Sequence, residues 1–192
     1  MGEMKSAFEK AMEKAEKLGS LSPEEMRERK EAECTTLGRA IAARYMGHGH
    51  KQLLKEEVGR YSGDERGIVM GAALSRLVEA VDLESGDLIE RALEGLVTLK
   101  GKGEVMEVTE NIKGLLQEFR DVKQQKYEIE KEGIEKDERE LLHRLRIAGT
   151  AVGAINLKSS EAWAMLSTEL ESQFSQRMEA LKRELLGLFE EG

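Results

Sequence analysis

The sequence predicts an all-α fold, in which a multi-helix N-terminal part is followed by a long antiparallel helical hairpin that resembles a coiled coil. The 192 residues contain one proline, Pro23, so almost nothing in the chain interrupts a helix. Hydrophobic residues make up 40% and charged residues 35%, a balance that suits amphipathic helices with charged outer faces. Apolar residues also recur at spacings of three and four, which is the period of a helix that buries one face.

Three helices are predicted in the first third of the chain. The second of them starts at Pro23, where Ser22 and Glu25 form a capping-box pattern around a proline in the first turn. Gly19 is placed to end the helix before it, and the glycines on either side of His48 end this one. The expected bounds are about 3–18, 23–46 and 50–60.

Two more helices complete a compact five-helix region, expected over 1–101. Ser62 and Glu65 form a second capping-box pattern, and Ser85 is placed to cap the helix that follows. The first of these helices is apolar over much of its circumference, which predicts a central position. The expected bounds are about 63–81 and 86–100, with the domain boundary at Gly101–Gly103 and the hairpin over 102–192.

A heptad seam follows this boundary and predicts one long helix over about 104–147. Gly133 either lies inside this helix, at a cost of about 1 kcal/mol, or ends it. We favour the unbroken helix, since its many charges can pair along the surface. The seam consists of Val108, Ile112, Leu115, Phe119, Val122 and Ile129, and resumes in a shifted frame at Ile134, Leu141, Leu145 and Ala148.

The uncharged stretch Gly149–Asn156 predicts an irregular connection near 148–158. Ser159 or Ser160 then caps a last helix over about 160–189, whose apolar stripe runs from Trp163. Two long helices joined in this way are expected to lie antiparallel. Pairs of adjacent leucines widen the apolar stripe beyond two positions per heptad, so the hairpin could pack against more than one neighbouring element. The pairs are Leu115 with Leu116, Leu141 with Leu142, and Leu185 with Leu186.

The charge of the chain argues against several classes of partner. The net charge is −8 and no segment is strongly basic, so neither nucleic acid nor a membrane is an expected partner. The longest uncharged run, Ile147–Leu157, is too short to cross a bilayer, and the charged stretch Met1–Leu18 is unlike a signal peptide. Cys34 is the single cysteine, so the sequence predicts a cytoplasmic protein in which Cys34 is a packed side chain.

Two patterns make weak candidates for metal binding. Glu140 and His143 share a helical face at the Glu-x-x-His spacing of di-iron bundles, but the sequence lacks the second such motif that those sites need. His48 and His50 form a His-x-His around a glycine and could supply two ligands to zinc, nickel or copper. The expectation is nevertheless that the chain has no metal site, no cofactor and no catalytic residues.

Four glycines recur every four residues, at Gly59, Gly63, Gly67 and Gly71. We expect Gly67 and Gly71 to let another backbone pack closely, and the other two to be turn residues. The sequence contains no phosphate loop, dinucleotide fingerprint or nucleophile elbow.

Three stretches resemble a family of uncharacterised bacterial helical proteins. They are Met1–Ala7 with Glu13–Gly19, then Leu21–Glu25, and Gly149-x-Ala-Val152 with Asn156 and Trp163. The resemblance implies no activity and no site residues, because the family has no assigned function. It does favour a distinctive connection over Gly149–Asn156.

The sequence therefore predicts a non-enzymatic protein of assembly or protein–protein interaction, with a protein partner and as a homo-oligomer. The expected working surface is the hairpin over 104–189. Two alternatives remain at this point: a metal-binding helical protein that uses His48, His50 or His143, and a small-molecule sensor or enzyme with a pocket among the first five helices.

Overall fold

The computed structural model describes residues 22–83, 86–101, 103–145 and 157–190, and these form an all-α fold, as predicted. The predicted helix over 3–18 and most of the predicted connection over 148–158 lie outside these ranges. The elements are α1 (Pro23–His48), α2 (Lys51–Gly59), α3 (Gly63–Glu79), α4 (Asp87–Lys100), α5 (Glu104–Arg144), a 3₁₀ turn (Leu157–Ser159) and α6 (Glu161–Glu190).

The capping box at the start of α1 is confirmed. The backbone N–H of Glu25 donates to Ser22 Oγ at 3.1 Å, and the N–H of Ser22 donates to Glu25 Oε2 at 2.7 Å. The hydrogen bond from the Ser22 N–H, followed by one from the Ser22 side chain, lowers the pKa of the Glu25 carboxyl. Two of the N–H groups that a bare helix start would leave unpaired are therefore satisfied.

The second predicted capping box is wrong. Ser62 is the N-cap residue of α3, but its side chain makes no capping hydrogen bond. The chain instead enters α3 through Gly63 with φ at 56°, a left-handed turn that glycine makes without strain. The start of α4 is similar, since its N-cap residue is Gly86, with φ at 54° and no side-chain cap. Ser85 lies outside the described residues.

The closest helix contact is between α1 and α3, and it depends on Gly38. A Cβ atom at Gly38 would lie 2.2 Å from the carbonyl oxygen of Val69 in α3. The prediction that Gly67 and Gly71 let another backbone pack closely is wrong, because a Cβ at either position would meet no described atom within 4 Å. The small residue that admits a neighbouring backbone therefore lies on α1.

The buried apolar side chains, apart from Ile134 and Trp163, form one cluster that runs from Cys34 in α1 to Leu185 in α6. The cluster therefore includes side chains from both sides of Gly101–Gly103. The division of the chain into two domains at this point stays a prediction. Several large side chains are fully buried in this cluster: Leu54, Leu74, Leu77, Ile89, Leu93, Leu96, Ile112 and Leu185.

The long helices α5 and α6 contact each other in opposite directions. Residue numbers rise along α5 as they fall along α6 in four successive pairs: Glu118 with Arg177, Phe119 with Phe174, Lys123 with Glu171, and Tyr127 with Trp163. The guanidinium of Arg177 donates to both carboxylate oxygens of Glu118, at 2.8 and 2.7 Å. Helix α5 continues through Gly133, so the alternative in which this glycine ends a helix is wrong.

The predicted seam of α5 is buried through Phe119 and again at Ile134, but not at its other later positions. Val108, Ile112 and Phe119 are buried, but Ile129, Leu141 and Leu145 are exposed, contrary to the prediction. For Leu141 and Leu145 the reason is where α6 begins. Since Tyr127 contacts Trp163 in the first turn of α6, the part of α5 that follows extends past the start of its neighbour.

Reversing the charges of one pair tests the antiparallel contact. Arg177→Glu and Glu118→Arg are each expected to lower the melting temperature, because each variant places two like charges together. The double variant is expected to melt above either single variant, since opposite charges meet again. Circular dichroism melts measure the effect, and a double variant that melts below both single variants would contradict the pairing.

The same pair gives a pH dependence with a defined sign. The hydrogen bonds from Arg177 lower the pKa of the Glu118 carboxyl. The stabilisation by the pair is therefore full above the ordinary carboxyl pKa and is lost as the pH falls through the lowered pKa of the folded protein. The differences in melting temperature among the charge variants should accordingly shrink in acid.

Candidate functional site

The residues singled out as weak metal ligands are all exposed. His48 ends α1 and His50 precedes α2, on either side of Gly49. Glu140 and His143 lie in the last turns of α5. Within the described part of the chain, no three His, Cys, Asp or Glu side chains are grouped so that they could hold a metal ion.

Cys34 is buried in the core cluster beneath a cavity between α1 and the start of α3. The cavity has a volume of about 560 Å³ and lies among the five N-terminal helices that the sequence predicts. Its lining carries both signs of charge, and Lys30 forms an ion pair with Glu65 across it. The hydrogen bond from Lys30 to Glu65 raises the pKa of the lysine, so the charges of this cavity are largely offset within the protein.

The end of α5 presents apolar side chains to solvent. Ile134, Glu138, Leu141 and Leu145 follow one another at spacings of four, three and four, so they share one face. Ile134 is buried, whereas Leu141 is 45% exposed and Leu145 is 61% exposed. We call Leu141 and Leu145 the projecting leucines, because they lie beyond the start of α6 in the antiparallel pair.

A cleft between α5 and the start of α6 combines basic and aromatic side chains. Its volume is about 410 Å³. The rings of Tyr127 and Trp163 meet nearly edge to face, with centroids 5.0 Å apart and an interplanar angle of 78°. The Nζ of Lys158 lies 5.5 Å from the Tyr127 ring centroid, within the range of a cation–π interaction. We call this the basic–aromatic cleft; its lining residues are Arg120, Lys123, Gln124, Tyr127, Lys158 and Trp163.

The sequence analysis missed the basic–aromatic cleft. Arg120, Lys123 and Tyr127 share a face of α5 at spacings of three and four, which is a signal that the sequence does carry. Lys158 and Trp163 follow more than thirty residues later, and only the antiparallel packing brings them to that face. Without the register of the two helices, Arg120, Lys123 and Lys158 cannot be distinguished from ordinary solvent-exposed cations.

No helix within the described ranges has the length and apolar character that crossing a bilayer requires. A model of a family of unknown function, DUF6657, matches residues 55–187. The expectation of an uncharacterised family is thus confirmed, and the matched range includes Gly149–Val152 and Trp163 from the stretches that carried the resemblance. No curated protein and no solved structure matches the chain.

Proposed function

The chain belongs to this family of unknown function, and we propose that it is a non-enzymatic interaction protein that associates with a second copy through the end of α5. The observation that carries the proposal is the exposure of the projecting leucines, Leu141 and Leu145, on the same face as buried Ile134. An apolar stripe that continues past its covering helix is typical of a contact surface. The single cysteine supports action in the reducing cytoplasm.

A second copy is the partner that the sequence of this surface favours. The stretch 128–140 contains seven acidic and three basic residues, and Arg144 and Arg146 follow it, so an antiparallel pair would set acidic residues of one copy against basic residues of the other. Two such helices packed antiparallel would bring the apolar stripes together and leave the charges at the edges, as in coiled coils. Nucleic acid is disfavoured as a partner, since the chain carries a net charge of −8.

The size of the apolar surface sets the strength of the contact. Full burial of one leucine side chain contributes roughly 1.5–3 kcal/mol, and the projecting leucines are about half exposed, so each has roughly 1 kcal/mol to gain. A symmetric dimer buries four of them, which contributes roughly 4 kcal/mol and only equals the lowest of the roughly 4–15 kcal/mol that association costs in lost freedom of motion. Further contacts along α5 have to supply the rest. The self-association that we propose is therefore weak, reversible and dependent on concentration.

The variant Leu141→Glu/Leu145→Glu tests this role of the projecting leucines. The native chain is expected to gain mass with concentration from the micromolar to the millimolar range, and the variant to remain a monomer throughout. Light scattering or sedimentation equilibrium measures the mass directly.

A matched control separates this surface from exposed leucines in general. Leu88→Glu replaces a leucine of α4 that is 47% exposed, close to the value for Leu141. We expect the control to associate like the native chain. The proposal fails if the native chain is monomeric at millimolar concentration, or if the double variant associates as strongly as the control.

A further inference from the structure

The basic–aromatic cleft carries more positive charge than the carboxylates of the described residues offset. Three of its six lining residues are cations: Arg120, Lys123 and Lys158. Lys123 pairs with Glu171, with 3.2 Å between Nζ and Oε1. Within the described part of the chain, no carboxylate forms an ion pair with Arg120 or Lys158. Two of the three cations thus have no carboxylate partner among the described residues, in a chain whose net charge is −8.

The acidic residues next to the cleft in sequence do not line it, and the first of them, Asp121, accepts a hydrogen bond from Gln117. Glu128 is engaged on α5, where it accepts hydrogen bonds from Lys131 and Gln124. Glu161, in the first turn of α6, is exposed and does not line the cleft. The segment 146–156, which precedes Lys158, contains no aspartate or glutamate. The amino end of α6 adds the partial positive charge of a helix start.

The aromatic pair gives the cleft an apolar wall. Trp163 is only 6% exposed, and its backbone N–H donates to Ser160 Oγ at 3.1 Å, so the start of α6 is capped and its tryptophan is held in place. Tyr127 is half-buried against it, with the ammonium of Lys158 over the ring. The cation is therefore held beside an apolar surface, where its attraction for an anion is screened less than in open solvent.

We propose that the basic–aromatic cleft binds a small molecule that carries a phosphate monoester. A phosphate monoester has a charge of about −1.5 to −2 at pH 7, which matches the two cations that lack a carboxylate. The planar fork of Arg120 suits two phosphate oxygens, while Lys158 supplies a compact charge. The apolar or aromatic part of the ligand would lie against Tyr127. A volume of about 410 Å³ is in the range of small-molecule sites.

A long polyanion fits this cleft less well than a small molecule does. The acidic stretch 128–140 begins directly beside Tyr127 on the same helix, and it would repel the continuation of a nucleic-acid backbone. The cleft does not include the projecting leucines, so phosphate binding in the cleft can be tested independently of the proposed self-association.

Trp163 is the only tryptophan in the chain and reports on the cleft directly. The experiment titrates the full chain with phenyl phosphate and follows tryptophan fluorescence, with isothermal calorimetry as the second measurement. We expect a saturable signal with phenyl phosphate, a weaker affinity for inorganic phosphate, which lacks the ring, and a weaker affinity for benzoate, which carries a single charge.

Two charge-removing variants test the assigned residues. Arg120→Gln and Lys158→Gln are each expected to weaken the affinity for phenyl phosphate about tenfold. Arg144→Gln and Lys136→Gln remove the same charges from exposed positions of α5 outside the cleft, and should leave the affinity unchanged. Circular dichroism checks that all four variants are folded.

Several results would overturn the proposal. One is the absence of saturable binding in both fluorescence and calorimetry at millimolar phenyl phosphate. Another is equal affinity in the cleft variants and the control variants, since binding would then lie elsewhere. If benzoate binds as tightly as phenyl phosphate, the cleft does not distinguish a phosphate monoester from a carboxylate, and a carboxylate takes the place of the phosphate in the assignment. Binding of a glutamate-rich helical peptide that phenyl phosphate does not displace would assign the cleft to a protein partner.

Discussion

Replacing Gly38 with alanine is expected to lower the free energy of unfolding by about 2 kcal/mol. A Cβ at this position of α1 would lie 2.2 Å from the carbonyl oxygen of Val69 and 2.8 Å from the Cβ of Ala72. The first of these is a backbone atom and cannot rotate away, so α1 and α3 must separate. Overpacking of a core typically costs about 1–3 kcal/mol and occasionally more, against which alanine returns about 1 kcal/mol of helix propensity.

Chemical denaturation measures this change, and Gly71→Ala is the matched control. Gly71 lies inside α3, and a Cβ there would meet no described atom within 4 Å. The same substitution should therefore raise the stability at Gly71, by up to about 1 kcal/mol. The opposite signs of the two changes are the result to look for. If Gly38→Ala is neutral or stabilising, the close contact between α1 and α3 is not present in solution.

Replacing Leu185 with alanine is expected to cost about 3 kcal/mol, because removing a buried leucine side chain leaves a cavity as well as losing apolar burial. Leu185 lies in α6 and is fully buried in the cluster that also contains side chains of α1–α4. The loss should therefore destabilise the whole described core and not α6 alone. Met165→Ala, at a position that is 69% exposed, should change the stability by less than about 0.5 kcal/mol.

Two measurements on Leu185→Ala decide whether the core unfolds as one unit. Trp163 fluorescence reports on the start of α6, while far-ultraviolet circular dichroism reports on all the helices. Coincident transitions that shift together are expected for a single cooperative core. A variant in which the fluorescence transition moves and most of the helical signal stays would contradict the shared core, and would favour a boundary at Gly101–Gly103.

The helices were largely predictable because their signals are local. Ser22 and Glu25 form their capping box within one turn, and the predicted start of α1 at Pro23 agrees with the structure. The dense surface charges around Gly133 correctly favoured one long helix, since they can pair along it and a single glycine costs only about 1 kcal/mol.

The contacts between helices were not predictable in the same way. Gly38 and Gly71 are both glycines inside helices, and only the crossing point of α1 and α3 decides which of them meets a backbone. The seam likewise showed which residues of α5 could be buried, but the start of α6 decides that Leu141 and Leu145 are not. The basic–aromatic cleft was missed for the same reason, because it exists only in the register of the antiparallel pair.

The 41-residue helix α5 also affects how the protein moves through a solvent. At about 1.5 Å per residue it is about 62 Å long, whereas a compact chain of 192 residues has a radius of gyration of only about 16 Å. A molecule with such an axis has a higher frictional coefficient than a sphere of equal mass and tumbles anisotropically. Size-exclusion chromatography should therefore give an apparent mass above the true mass. An extended monomer can elute at the volume expected of a compact dimer.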